Sequence, residues 1–214
     1  MMTLYGYWRS SASYRVRIAL ALKGVSVNHV AVNLREGQQK SEAHLARNPQ
    51  GYVPVLELAD GTQLTQSLAI IDYLDSAYDA NPLRPKDAVV RSKILAASLT
   101  VASDIAPIQN LSVLKYLRGE FDADDGAVTA WAAHWITKGF DALEKCIADN
   151  TQDFYLSNYP SMFEVCLVPQ IYNARRFGVD MNQFPALLAL EEKCQTLPAF
   201  IAARPENQAD APKA

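Results

Sequence analysis

Cysteine and histidine are scarce in this chain, three of each among 214 residues. Cys146, Cys166 and Cys194 include no CxxC pair and all fall in the second half. A disulfide scaffold is therefore not the expected architecture, and a reducing cytoplasm is the expected compartment. His29, His44 and His134 stand far apart, and no His/Cys cluster has ligand spacing, so no metal is expected. A basic surplus is also missing. Twenty Lys and Arg face twenty-three Asp and Glu, a net charge of −3, which speaks against a general nucleic-acid binder but leaves room for a local basic pocket. No apolar run approaches the ~18 residues of a membrane span. The opening MMTLYGYWRSS has no apolar signal core, so neither a membrane association nor a signal peptide is expected. What the chain does have is hydrophobic material, half of its residues, enough for a packed core.

The first eighty residues alternate between strand and helix patterns. Thr3–Tyr7 is a short β-rich run, and Ser13–Lys23 reads as a helix stopped by Gly24. His29–Asn33 is a second strand and Glu36–Arg47 is weakly helical. Val53–Leu58 and Thr62–Leu64 flank Asp60-Gly61, a strong hairpin signal, and a helix follows over 67–78. The prolines of Asn81-Pro82-Leu83-Arg84-Pro85 break this rhythm. Beyond them only helices are predicted: Val89–Arg118 with a kink at Pro107, Val128–Asp149, Ser161–Phe177 and Phe184–Thr196. Ser161-x-x-Glu164 is a capping box before the third of these. Trp131 and Trp135, four apart, are expected in the core, and the polar tail after Arg204 is expected to fray. The expected domains are residues 1–80, a linker 81–86, and an all-helical unit 87–214.

Three places in the first domain offer chemistry. Ser10, Ser11 and Ser13 sit where the first strand turns into the first helix, with Arg9, Arg15 and Arg17 nearby. A helix N-terminus presents unpaired N–H groups and partial positive charge, and it stabilises an anion or lowers a thiol pKa; simple helix capping is the plainer alternative. Val53-Pro54 opens a strand. A cis bond there would turn backbone polar groups toward an extended ligand, and an ordinary trans proline on an edge strand is the alternative. Gln66-Ser67 begins another helix, suited to a carboxylate or to capping alone.

In this order the three features resemble the glutathione transferase superfamily, and its zeta class most of all. The resemblance rests on SSASYRVRIALALKG (10–24), NPQGYVPVLE (48–57), QSLAIIDYL (66–74), IAPIQNLSVLKYL (105–117) and CLVPQIYNARRF (166–177), so it spans almost the whole chain. It implies an α/β thioredoxin-like N-terminal domain followed by an all-α domain, glutathione as cofactor, and a homodimer. Ser10 would activate the glutathione sulfur, supported by Ser11. Val53 beside a cis Pro54 would hold the cysteinyl backbone, Gln66 and Ser67 the γ-glutamyl carboxylate, and Gln38 or Gln39 the glycyl end. Arg176 and Arg9 would meet an acidic substrate, with Gln109 and Asn110 in the pocket wall, while Arg175 reads as a solvated surface charge. Ala12 departs from the cysteine of the family motif.

The implied activity is glutathione-dependent cis–trans isomerisation of maleylacetoacetate to fumarylacetoacetate, a step of aromatic amino-acid catabolism. Two alternatives remain. The first is the same reaction on maleylpyruvate; the resemblance places arginines in that enzyme where this chain has Leu111-Ser112. The second is a non-catalytic glutathione-binding protein on the same fold, kept open by Ala12 and by the altered segment 158–164.

Overall fold

The short apolar runs of the first third pair into one sheet. In the computed structural model, which describes residues 1–212, β1 (Thr3–Gly6) runs parallel to β2 (Asn28–Ala31) and antiparallel to β3 (Val55–Glu57). β3 pairs in turn with β4 (Gln63–Thr65), so the strand order is β2-β1-β3-β4. The β3–β4 turn is the expected hairpin: Thr62 N–H donates to Asp60 Oδ1 at 2.9 Å, and Gly61 adopts φ +88°. That conformation carries no steric cost for glycine alone.

Helices α1 (Ser11–Leu22), α2 (Glu42–Arg47) and α3 (Ser67–Ala77) complete this part. α1 and α3 pack together. Val16, Ile18, Ile70, Ile71 and Leu74 are all fully buried there, each worth roughly 1.5–3 kcal/mol of transfer free energy. At the end of α1 the Lys23 ammonium is fully buried; it lies 2.7 Å from Asp75 Oδ1 and donates to the Tyr78 carbonyl at 3.1 Å.

The chain divides into two units, residues 1–82 with 196–214, and residues 83–195. The second is helical: α4 (Ala88–Leu99), α5 (Leu111–Glu120), α6 (Asp125–Ile147), α7 (Met162–Arg176) and α8 (Pro185–Gln195). The expected continuous helix over 89–118 is corrected. It is two helices, separated by a π-helical stretch at Thr100–Ile105 and a turn through Pro107. Pro107 has no N–H to continue the ladder and its ring crowds the preceding turn. Asn110 then starts α5 afresh, its Oδ1 accepting from the Ser112 N–H at 2.9 Å. A side chain at Gly139 of α6 would collide with Ile105, so a glycine there admits the widened π turn.

α6 buries the stripe Val128, Ala132, Ile136, Phe140, Leu143 and Ile147. Trp131 and Trp135 lie beside that stripe, which corrects their expected core position. Trp131 is 36% exposed, meets Trp135 edge-on at 5.9 Å and donates from Nε1 to the Ile108 carbonyl at 3.0 Å. The capping box is present: Glu164 accepts from the Ser161 N–H at 2.8 Å, the Ser161 hydroxyl at 2.6 Å and the Tyr155 N–H at 2.8 Å. Burial raises the Glu164 pKa, against the pull of these bonds.

α9 (Pro198–Ala203) and the tail belong with the first unit, which moves the expected domain boundary. α9 packs on α1. The tail does not fray over its described residues: Gln208 Nε2 donates to the Ala202 and Arg204 carbonyls, and Asn207 Nδ2 to the Ile201 carbonyl. Its polar side chains are the acceptor-seeking partners of the last carbonyls of α9. No helix among the described residues is long and apolar enough to cross a membrane.

Asp75→Ala strands the Lys23 ammonium in the interior. Breaking a buried pair costs about 3–5 kcal/mol, so the urea midpoint of this variant is expected to fall steeply. A midpoint equal to wild type would show that the pair contributes nothing.

Candidate active site

Ser10 ends the turn after β1 and caps α1. Its backbone is extended (φ −69°, ψ 120°) and its Oγ accepts from the Ser13 N–H at 3.2 Å. Capping and chemistry are compatible here, since the cap uses one lone pair and leaves the hydroxyl hydrogen to donate. The N–H groups of Ser11 and Ala12 have no acceptor among the described residues, as the first turn of a helix requires. Together they make a local positive site without a net basic surface.

The arginines of α1 point inward. Arg15 and Arg17 are only 3% and 6% exposed. Burial pushes the Arg17 guanidinium down to about 10, so it stays charged at neutral pH. Arg15 Nη1 donates to Ser67 Oγ at 3.3 Å, which ties the start of α3 to α1. Arg9 stays nearer the surface, its guanidinium 5.4 Å from the Trp8 ring.

Gln66, just before α3, has φ +67° and ψ 118° and makes no side-chain cap. For a residue with a Cβ this backbone costs about 1–3 kcal/mol, and such strain collects at functional sites. Its exposed side chain donates to Gln50 Oε1 at 2.9 Å.

The Val53-Pro54 peptide is cis. The Val53 N–H and C=O have no hydrogen-bond partner among the described residues. The carbonyl just before them, on Tyr52, is held by His44 Nε2 at 2.9 Å and Asn48 Nδ2 at 3.0 Å. Gln38 and Gln39 lie on a 3-10 turn. Gln38 is exposed and bonded to Glu36 and to the Asn33 N–H. Gln39 is buried, and its Oε1 has no partner.

In the second unit, Gln109 is buried and both ends of its amide are used. Nε2 donates to Gln170 Oε1 at 2.8 Å, and Oε1 accepts from Asn173 Nδ2. Asn110 is occupied as the cap of α5. Arg176, one turn beyond Asn173, is exposed, with its guanidinium 4.6 Å from the Phe177 ring. Arg175 is exposed, as expected, but paired. It makes two bonds of 2.5 Å to the Glu191 carboxylate, which raise its pKa further.

Sequence reasoning missed His44 and Asn48 as supports of this site, and named Arg15 only as a nearby positive charge. The turn residues Asn48–Gly51 and two arginines on an apolar helix were the available signals. No group of three or more metal-binding side chains occurs among the described residues.

Comparison with known proteins identifies the family. Residues 1–76 match the family "Glutathione S-transferase, N-terminal domain". A Vibrio cholerae protein named a probable maleylacetoacetate isomerase is 46% identical over 98% of each chain. A holo maleylpyruvate isomerase, described as a bacterial zeta-class glutathione S-transferase, superposes with TM-score 0.95 at 40% identity, covering 98% of this chain and 100% of that one. The maleylacetoacetate isomerase of Anaeromyxobacter dehalogenans, with dicarboxyethyl glutathione and citrate in its active site, gives TM-score 0.88 at 41% identity over 99% of each chain. The fold is that of a glutathione transferase. Within that superfamily the chain belongs to the zeta class, the family of the maleylacetoacetate and maleylpyruvate isomerases.

Replacing Gln66 with glycine removes the backbone strain. Gln66→Gly is expected to hold or raise the thermal midpoint, by up to ~1–2 kcal/mol of stability. A large loss of stability would show that the side chain, not the backbone, dominates at this position.

Proposed function

We propose that this chain is a glutathione-dependent cis–trans isomerase that converts maleylacetoacetate to fumarylacetoacetate. The observation that carries the reading is the Ser10-capped start of α1, with unpaired N–H groups, in the same unit as the unpartnered Val53 backbone beside a cis proline. A helix N-terminus suits a thiolate, and a free main-chain pair suits an extended peptide. The unpartnered Gln39 Oε1 adds a buried acceptor. This donor and acceptor set fits glutathione.

Bound glutathione supplies a sulfur that adds to the cis double bond, permits rotation about the resulting single bond and leaves again unchanged. Ser10 donates its hydroxyl hydrogen to that sulfur, which favours the charged form, and Ser11 supports it. Val53 pairs with the cysteinyl main chain. Gln66 and Ser67 hold the γ-glutamyl carboxylate, and the Arg15 guanidinium behind Ser67 makes its hydroxyl a better donor. Gln39, rather than the exposed Gln38, is assigned the glycyl end. Arg9 and Arg176 attract the carboxylates of the diacid. Gln109 and Asn110 shape the wall of the substrate pocket, and their bonds within the unit make that wall rigid.

Maleylpyruvate is the alternative substrate, since relatives of both names resemble this chain about equally. The uncharged pair Leu111-Ser112 at the start of α5 favours the longer diacid, because it offers no extra cation there. A homodimer in the cytoplasm completes the reading. Leu95 and Leu99, one turn apart on α4, expose 42% and 40% of their surface and support an association between copies.

An ultraviolet assay of maleylacetoacetate isomerisation, with and without glutathione and beside maleylpyruvate, tests the proposal. Turnover should require glutathione and be faster with maleylacetoacetate. Turnover of maleylpyruvate alone would overturn the substrate, and a folded protein that binds glutathione but isomerises neither would restore the non-catalytic alternative. Ser10→Ala should lower the rate at least about tenfold, the effect of ~1.4 kcal/mol in the transition state.

A further inference from the structure

We propose that the C-terminal tail positions the Ser10 turn, with Asp210 and Arg17 as its two positioning residues. The inference rests on the function proposed above and goes beyond it, because it makes glutathione binding depend on a segment two hundred residues away.

The turn from Tyr7 to Ser10 leaves the sheet before the helix begins, so its main-chain polar groups need partners of their own. Two come from nearby: the Ser10 N–H donates to the Tyr7 carbonyl at 3.0 Å, and the Tyr7 N–H to Ser13 Oγ at 3.4 Å. The others are distant. The Trp8 N–H donates to Asp210 Oδ2 at 2.9 Å, across 202 positions of sequence. The Trp8 carbonyl accepts from Arg17 Nη2 at 2.9 Å, and the Tyr7 carbonyl from Nη1 at 3.5 Å. Arg17 Nε donates to the Ala203 carbonyl, the last of α9, at 3.1 Å. One guanidinium thus grips both the turn and the end of the helix that leads into the tail. Both main-chain polar groups of Trp8 are satisfied by this arrangement.

The tail is itself held where Asp210 can reach. Gln208 Nε2 donates to the Ala202 carbonyl at 3.0 Å and the Arg204 carbonyl at 2.8 Å, and the Ala211 N–H donates to the Gln208 carbonyl at 3.0 Å. Ser10 follows Trp8 by two residues. Rotation of the Trp8 peptide would therefore swing the Ser10 hydroxyl, and misplacement of a polar group by an ångström is costly at such a site. A purely electrostatic role for Asp210 predicts the opposite sign. Its negative charge near the start of α1 disfavours a thiolate, so its removal would lower the pKa of a bound thiol.

Asp210→Ala, Asp210→Asn and Gln208→Ala should be compared with wild type by three measurements. These are hydrogen exchange of the Gly6–Ala12 segment without ligand, calorimetric glutathione binding, and ultraviolet titration of the bound thiol. Asp210→Ala is expected to speed exchange in that segment, raise the thiol pKa and raise the glutathione Kd roughly twofold to tenfold, the range one net hydrogen bond corresponds to. Gln208→Ala should move all three the same way while leaving Asp210 intact. Asp210→Asn keeps an acceptor and should stay near wild type. Asp210→Ala indistinguishable from wild type in exchange and affinity would overturn the proposal, as would equal shifts in the Ala and Asn variants. Wild-type protein that binds no glutathione would instead overturn the functional reading, while exchange still decides whether the tail holds the turn.

Discussion

A guanidinium taken out of water must be surrounded by acceptors, because the penalty for burying an unpaired charge exceeds almost any packing gain. Arg17 meets that constraint with the carbonyls of Tyr7, Trp8 and Ala203 and with the nearby charges of Asp210 and Glu206. The turn before α1 and the end of α9 must therefore both approach one side chain. Arg15, two residues earlier and equally buried, makes a similar demand on Ser67. The first unit is organised around these two cations as much as around its apolar residues. They explain why an apolar helix carries two arginines, and why the segments that meet at its N-terminal half come from such different parts of the chain.

The site follows from what these constraints leave over. Hydrogen bonds close the sheet, the caps and the turns, and several groups remain unused, among them the first N–H groups of α1, the main chain of Val53, Gln39 Oε1 and His44 Nδ1. Unused polar groups near a helix N-terminus form a binding site for a peptide with anionic ends. In the second unit Gln170 Nε2 is likewise buried without a partner. Gln109 bonds to both Gln170 and Asn173, and Arg175 bonds to Glu191 beside the exposed Arg176.

Local patterns were legible wherever the physics is local. The hairpin at Asp60-Gly61, the capping box at Ser161 and Glu164, and the helix starts at Ser10 and Ser67 all depend on residues within a few positions of one another. The helix over 89–118 was less legible. Pro107 announces a disturbance, but a kink and a complete break look alike until the π turn and the glycine opposite it are known. Trp131 and Trp135 share one helical face, and spacing alone does not say whether that face is the buried one. The tail reads as polar and free, because its partners are carbonyls at the end of α9 and the turn beside Ser10.

By itself, then, the sequence determined most of the strand and helix segments and their caps, since propensity, capping and turn chemistry act over neighbouring positions. Tertiary structure alone decided the direction of Arg15 and Arg17, the pairing of Arg175 with Glu191 and the docking of Asp210 on Trp8. Each of these is a contact between segments far apart in the chain, and burial and hydrogen-bond satisfaction are properties of the whole packed unit.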